Sequence, residues 1–244
     1  FLSLTRNEGT DSWRFSSEGK LIWNRSNLFG HVYNLTGSIR GDGYVVSSVQ
    51  NPNLPSEETE NGFIGRILPR VALDWKYPLI KKGKSSKFII EPSLSLIVAP
   101  RGGNPGKIPN EDSISFEFDD TNLFSHNRFP GLDRWEGGPR LNYGVRLGIY
   151  GKNSSATALI GQTLRDRDHT LFDDRAGLVT GPSDYVGRIY ITGETVSFTQ
   201  RFRIDQDSFS FRRNEISLDL GEDDLKFSAG YVFLSEELST ENLG

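Results

Sequence analysis

Four groups of residues in this sequence are of types that could do chemistry. The first is histidine: His31, His126 and His169 lie far apart, and none sits in a metal-ligand spacing such as HExxH. Each reads as a solvated loop or luminal residue rather than a ligand or base. The second is the set of acidic doublets Asp119–Asp120, Asp173–Asp174 and Asp223–Asp224. Carboxylate oxygens suit hard cations such as Ca²⁺, yet no doublet belongs to an EF-hand loop, and loop charges are the simpler reading. The third is "RGGNPG" and "GKIPNEDS", which are turn sequences; a phosphate loop needs Gly-Lys-Ser/Thr at fixed spacing. The fourth is Asp133–Arg134 and Arg165–Asp166–Arg167–Asp168, whose mixed charges suit ion-pair lattices that order loops or line a lumen. The "NSS" at 153–155 is a formal glycosylation acceptor and no more. Nothing pairs a nucleophile with a base and an orienting group. The expectation is therefore a protein with no catalytic residues, no metal and no cofactor.

What the elements look like is more informative. The chain has 244 residues, a net charge of −4 and a pI near 5.5. An acidic balance argues against a nucleic-acid partner, because neutralising phosphates needs a basic surface. Hydrophobic residues make up 35%, mean hydropathy is −0.46, and no apolar run approaches the length of a transmembrane helix. There is no Cys, which removes thiol chemistry, disulfides and Cys-based metal sites. There is also no Met, and Phe1 opens directly on a strand-like run, so we expect a mature product or a piece of something longer.

Period-2 alternation recurs throughout. Leu141, Tyr143, Val145, Leu147 and Ile149 share one face, against Arg140, Asn142, Gly144, Arg146 and Gly148. Val71, Leu73, Trp75 and Tyr77 oppose Arg70, Ala72, Asp74 and Lys76; Tyr33, Leu35 and Ile39 oppose Asn34, Thr36, Ser38 and Arg40. Val196, Phe198, Phe202 and Ile204 oppose Arg201 and Arg203. Ten strands are predicted, at 12–24, 29–42, 64–78, 87–100, 139–150, 155–164, 185–193, 195–205, 208–220 and 224–235, with a bulge near Arg212–Asn214 where the phase changes. Loops at 43–63, 101–138 and 165–184 are long, with 206–207 the one short exception in that series, whereas the connections on the other side are short. Sorted loops and strands of 9 to 15 residues fit an antiparallel up-and-down transmembrane β-barrel. The competing reading is a soluble β-sandwich, whose apolar faces would meet each other.

Residues 119 to 151, "DDTNLFSHNRFPGLDRWEGGPRLNYGVRLGIYG", join a polar, aromatic loop to one of these strands. This block, followed by Gly161–Gln162 in "IGQTLR", resembles the C-terminal barrel domain of the LptD (OstA) family of lipopolysaccharide-assembly outer-membrane proteins. "RILPRVALDWKYPLI" and "IIEPSLSLIVAPRGG" fit the two preceding strands, and "GSIRGDGY" fits a strand end. The resemblance covers roughly residues 12 to 235 and is most specific in the central block.

The resemblance implies transport without chemistry. It implies an internal fragment, about ten strands, of a barrel of about 26 strands, placed in the outer membrane of a Gram-negative bacterium with the three long loops outside. The implied partners are lipopolysaccharide, an LptE-type plug lipoprotein, and an LptA-type periplasmic bridge reached through a jellyroll domain that this segment lacks. Luminal Arg40, Arg70, Arg140, Arg146, Arg201 and Arg203 would then meet phosphorylated sugar or form a structural lattice. Phe116, Phe118, Phe124, Phe129 and Trp135, with Asp133 and Arg134, would order loop 101–138 as a lid. The readings outside the family are a small porin-like outer-membrane channel and a soluble β-sandwich binding module.

Overall fold

A strand in a bilayer must pair both of its edges and turn its apolar face outward. The computed structural model of the chain has this organisation within the sheet, whose two outermost strands are left with one open edge each. It describes residues 2–4, 11–50, 59–113, 117–166, 172, 176–178, 181–222 and 225–235. Phe116, His169, Arg167–Asp168 and the doublets Asp173–Asp174 and Asp223–Asp224 lie outside them.

The described residues are all-β. The strands are β1 (Leu2–Leu4), β2 (Asp11–Ser26), β3 (Val32–Gln50), β4 (Thr59–Lys76), β5 (Leu79–Lys82), β6 (Lys87–Val98), β7 (Arg140–Tyr150), β8 (Ser155–Arg165), β9 (Tyr185–Thr192), β10 (Val196–Ile204), β11 (Phe211–Glu222) and β12 (Leu225–Leu234). Each pairs antiparallel with its neighbour in sequence order, except that β4 and β5 both pair with β6. β4 and β5 are one strand interrupted at Tyr77–Pro78, where proline has no N–H to offer the ladder. The first and last strands are not paired with each other, so the described sheet is open.

Two sequence expectations need correction. Loop 43–63 is largely strand: β3 runs on to Gln50 and β4 starts at Thr59. The alternation continues there with a different content, because inward Tyr44 and Val46 bury against Ile108 instead of remaining polar. The connection at 79–86 contains β5, and only 83–86 turns. The expected bulge is present. Arg203 pairs with Arg213 and Ile204 with Phe211, which leaves Arg212 as the extra residue.

The polarity of the two faces decides the environment. On the inner face Asn142, Ser95 and Thr163 have no exposure, and Arg40, Asp42, Arg140 and Arg203 are buried. On the outer face Leu21 is 82% exposed, Phe63 74% and Ile67 72%, in company with Phe15, Ile39, Val71 and Leu96. A sandwich would press these side chains against a second sheet. The described residues form one sheet, and its apolar face is the one they leave uncovered, as a lipid-facing surface requires. Trp23, Trp75 and Tyr77 stand near the short turns, where an interfacial aromatic girdle belongs, whereas Tyr150 lies on the Gly148 side of β7. His31 joins them, stacked on Tyr77 with ring centres 4.2 Å apart and accepting at Nδ1 from Trp75 Nε1 at 3.1 Å.

Val71 distinguishes the environments. In a lipid-facing strand Val71→Arg should destabilise the full-length protein by about 2–4 kcal/mol in vesicles. At an exposed position in a soluble sheet it should change stability by no more than about 0.5 kcal/mol. Denaturant unfolding in vesicles reads the difference.

Candidate functional site

The connection between β6 and β7, residues 99–139, folds back onto the inner face, and arginines from the strands hold it there. Period-2 alternation explains why they are available. Arg14 on β2, Arg40 on β3 and Arg66 and Arg70 on β4 share the inward parity, as do Arg140 on β7 and Arg165 on β8.

Three clusters pin the loop. In the first, Arg14 Nη1 donates to Asp112 Oδ2 and to Asp133 Oδ1, both at 2.6 Å. The Asp112 carboxylate accepts the backbone N–H groups of Leu132 and Asp133, and Asp133 Oδ2 accepts those of Glu111 and Asp112. Each aspartate thus holds the other's backbone. Gly131 is required here, since a Cβ would lie 2.1 Å from Asp112 Oδ1. Burial works against charge on Asp112, but the two backbone donors and Arg14 outweigh it and hold the carboxyl well below the usual range.

In the second cluster Arg66 uses every N–H it has. Nε donates to Asp42 Oδ2 (2.7 Å), Nη1 to the carbonyls of Gly103 (2.8 Å) and Asp133 (2.9 Å), and Nη2 to Tyr44 Oη (3.0 Å) and the carbonyl of Leu132 (2.5 Å). Tyr44 passes the bond on to Asp133 Oδ1 at 3.1 Å. Arg40 donates to the Leu132 carbonyl and pairs with Asp42. The guanidiniums of Arg40 and Arg70 lie 5.2 and 4.5 Å from the Trp135 ring centre, a cation–π clamp on a ring that is almost fully buried.

The third cluster centres on Glu136, whose side chain is fully buried. Arg128 is 2.7 Å away, Arg140 is 3.4 Å away, and Arg165 donates to Oε1. Arg128 also donates to Asn142 Oδ1 (2.7 Å) and Thr163 Oγ1 (2.6 Å), which stitches the loop to β7 and β8. Both Arg70 and Arg140 donate to the carbonyl of His126, and His126 Nε2 meets Asp74 at 3.1 Å. Beside this cluster Phe118, Leu123 and Phe129 form an apolar core with Phe172, Leu178 and Val186. Leu123 reaches Gly161, where a Cβ would come within 2.4 Å of it.

The expected site residues therefore divide. Arg40, Arg70 and Arg140 hold the loop. Arg203 is buried between Glu117 and Asp184. Arg146 and Arg201 stay half-exposed; Arg146 has only a 3.9 Å approach to Glu91, and Arg201 a 3.7 Å approach to Asp120, which Arg188 shares at 3.5 Å. Phe129 stacks on Phe172 at 4.9 Å, Phe124 packs against the same core, Asp133 and Trp135 are buried, and Arg134 donates to the Ile108 carbonyl at 3.4 Å. Asp119 and Asp120 serve different partners: Asp119 accepts from Thr121 within the loop, while Asp120 faces the two arginines. Arg14, Arg66, Arg128, Tyr44, Asp112 and Glu136 are not among the residues the sequence singles out, whereas Arg165 belongs to the mixed-charge run read as an ion-pair lattice and pairs with Glu136. Parity would have found Arg14 and Arg66. Nothing in the sequence distinguishes Glu136 from any other loop carboxylate. Beneath the loop a cavity of about 350 Å³ remains, lined by Asn24, Asn34, Asp74, Lys76, Ser93 and Phe124 among others.

A sheet with lipid-facing apolar residues, an arginine-rich inner face and an ordered inward loop agrees with one family, and the family model for LPS transport system D matches residues 1–244, the whole chain. The chain belongs to the LptD family. No curated protein matches it. Membership places it in the system that transports lipopolysaccharide to the outer membrane, a role in transport rather than catalysis. Residues 119–139 of the block that carries the resemblance belong to the loop folded onto the arginines, and the rest of it runs through β7.

Two outcomes test the lattice. Glu136→Ala leaves three buried guanidiniums without their counter-charge and should cost about 3–5 kcal/mol. Arg134→Ala, at a half-buried residue with one long bond, should cost no more than about 0.5 kcal/mol. Unfolding in detergent, with protease cleavage within 99–139 as a second readout, separates them. The pH dependence has two parts. Burial, opposed by Arg203 and Arg212, pushes the Asp184 carboxyl up to about 6, so its destabilising ionisation is relieved as pH falls from about 6 towards about 4. Asp112 is depressed, so its contribution is complete above about 4 and is lost as pH falls below that. The protection of the Leu132 and Asp133 amides against hydrogen exchange, taken relative to the intrinsic rate at each pH, should therefore fall only below about pH 4, and Asp112→Asn should abolish that acid-dependent loss.

Proposed function

We propose that this sheet is part of the wall of an outer-membrane translocon that inserts lipopolysaccharide into the outer leaflet, in a Gram-negative bacterium. The observation that carries the reading is the division between the two faces. Lipopolysaccharide has acyl chains that belong in lipid and phosphorylated sugars that need a hydrated, cationic path. The outer face offers Leu21, Ile39, Ile67 and Val71 to the first, and the inner face offers arginines to the second.

On this reading the arginines have two tasks. Arg40, Arg70 and Arg140, with Arg66, Arg128 and Arg165, keep the 99–139 loop folded inward as a lid on the extracellular side, together with the other long connections. Arg146 and Arg201, with Arg188, are the half-exposed cations left to meet phosphate. The cavity bounded by Asn24, Asn34, Asp74, Lys76 and Phe124 supplies amide, charged and aromatic groups of the kind that bind sugar. The open edges at β1 and β12 call for further strands, since unpaired backbone is not tolerated in lipid. An LptE-type plug would occupy the lumen of the closed barrel, and an LptA-type bridge would deliver substrate through a jellyroll domain elsewhere in the full-length protein.

Photo-crosslinking in cells tests this. A photoreactive residue placed at Arg146 or Arg201 of the full-length protein should form lipopolysaccharide adducts. The same residue at Arg165, sealed behind Glu136, should not. Absence of adducts at both 146 and 201 would sink the proposal.

A further inference from the structure

Lysine and arginine are sorted to different places in this molecule. Of nine lysines, five (Lys76, Lys81, Lys82, Lys84 and Lys87) fall within residues 76–87, and no acidic residue occurs between Asp74 and Glu91. In a chain of net charge −4 this is a concentrated cationic stretch. The structure folds it into a tight hairpin at the short-turn rim. β5 pairs with the start of β6, and the Gly83 N–H donates to the Ser86 carbonyl at 2.7 Å with Lys84 inside the turn. Lys81, Lys82, Lys84 and Lys87 are all exposed. Lys152 stands exposed in the neighbouring turn, because Lys87 is the Cα partner of Tyr150 at the end of β7.

The arrangement breaks a local rule. Lys82 and Lys87 are direct cross-strand partners, and like charges placed opposite each other destabilise a strand pair. Among the described residues none of the four hairpin lysines makes an ion pair, and the nearest acid in sequence, Glu91, faces Arg146. The arginines of the inner face, by contrast, are set against Asp42, Asp112, Asp133 and Glu136. A cluster left without internal counter-charge marks a place where counter-charge comes from outside.

The surroundings say what supplies it. Lys81 is the cross-strand partner of outward-facing Phe88, whose other neighbour is Ile149. Phe88, Ile90 and Ile149 are 41–49% exposed on the apolar band. The Trp75–Tyr77–His31 stack lies at the same rim and marks the depth of the interface. Lysine suits this position. Its ammonium rides on a flexible stem that lies along apolar surface and reaches out to exchanging anions, whereas the arginine fork is suited to fixed carboxylates.

We propose that the Lys81–Lys87 hairpin, together with Lys152, binds the headgroups of anionic phospholipid, of the phosphatidylglycerol type, in the leaflet that the short turns face. The proposal rests on reading the sheet as membrane-spanning with its short turns towards the periplasm.

The test is lipid retention by the full-length protein. Detergent-solubilised protein is offered equal amounts of phosphatidylglycerol and phosphatidylethanolamine, and bound lipid is counted by native mass spectrometry. The wild type should retain phosphatidylglycerol preferentially. The K81Q/K82Q/K84Q/K87Q variant should reduce that preference by at least about tenfold, and arginine at the same four positions should preserve it. A second variant, K84Q/K152Q, alters only turn residues, keeps the strands intact, and should weaken the preference in part. No preference in the wild type, or an unchanged preference in the glutamine variants, overturns the proposal. So does loss of retained lipopolysaccharide in place of phosphatidylglycerol, which would also reverse the assigned orientation. Loss of a co-purifying acidic protein with phosphatidylglycerol retention intact would reassign the rim to a protein partner. None of these results bears on the crosslinks at Arg146 and Arg201, so the transport reading stands or falls separately.

Discussion

Glu136 has no exposed side-chain surface and faces three arginines, and much of the structure depends on how that charge is kept paired. A buried ion cluster is a poor source of net stability, because desolvation offsets most of the attraction. Its strength lies in what happens when one member leaves. Removing Glu136 would strand Arg128, Arg140 and Arg165 out of water together. The loop that carries Glu136 and Arg128 therefore has one low-energy position on β7 and β8, and partial displacement is costly. The same logic repeats at Asp112–Asp133–Arg14 and at Asp42–Arg66, so the loop is held at three separated points.

The apolar contacts make that position specific. Leu123 enters the space left by Gly161, and Trp135 lies beneath Arg40 and Arg70. Each apolar contact sits beside a charge cluster: Leu123 next to Arg128, Trp135 next to Glu136 in sequence. Each strengthens the other. Aromatic surface excludes water from the ion pairs, and water exclusion is what makes their loss expensive. A loop held in this way should come free cooperatively, since releasing one cluster exposes the next.

The strands were legible in the sequence because period-2 alternation is local, and residues such as Leu141 to Ile149 announce their faces without help from the rest of the chain. The limits lie where a residue's role is set by a distant partner. Tyr44 and Val46 looked like loop because they break the polar-in pattern, and only Ile108, brought over by the folded loop, makes them inward and apolar. Arg14 meets Asp133 across 119 residues of chain, a contact no spacing rule predicts. Parity marks Arg40, Arg70 and Arg140 as luminal, but it does not say that they are committed to the loop while Arg201 only approaches the loop's Asp120 and Arg146 faces Glu91 on β6. That distinction depends on how far the loop reaches down the inner face. Between Pro78 and Gly83 there are only four residues, too short a run for alternation to show, yet enough to complete a ladder against β6.

The two kinds of cation then follow from one constraint. A guanidinium in a dehydrated interior needs fixed acceptors on several N–H groups, and Arg66 shows the limiting case, with all five engaged. An ammonium in that place would leave the carbonyls of Gly103, Leu132 and Asp133 only partly satisfied. At the rim the demand is reversed: the anions are mobile, the water is close, and a rigid fork gains little over a flexible stem. Arginine inside and lysine at the rim are thus what the two environments select on the same strands. A molecule so built holds its own loop with one chemistry and meets a fluid leaflet with the other. The half-exposed Arg146, Arg188 and Arg201 lie between these extremes: they have the fork of the interior but lack its full set of acceptors. Unfilled fork geometry facing a hydrated space is the arrangement that a passing phosphate would complete.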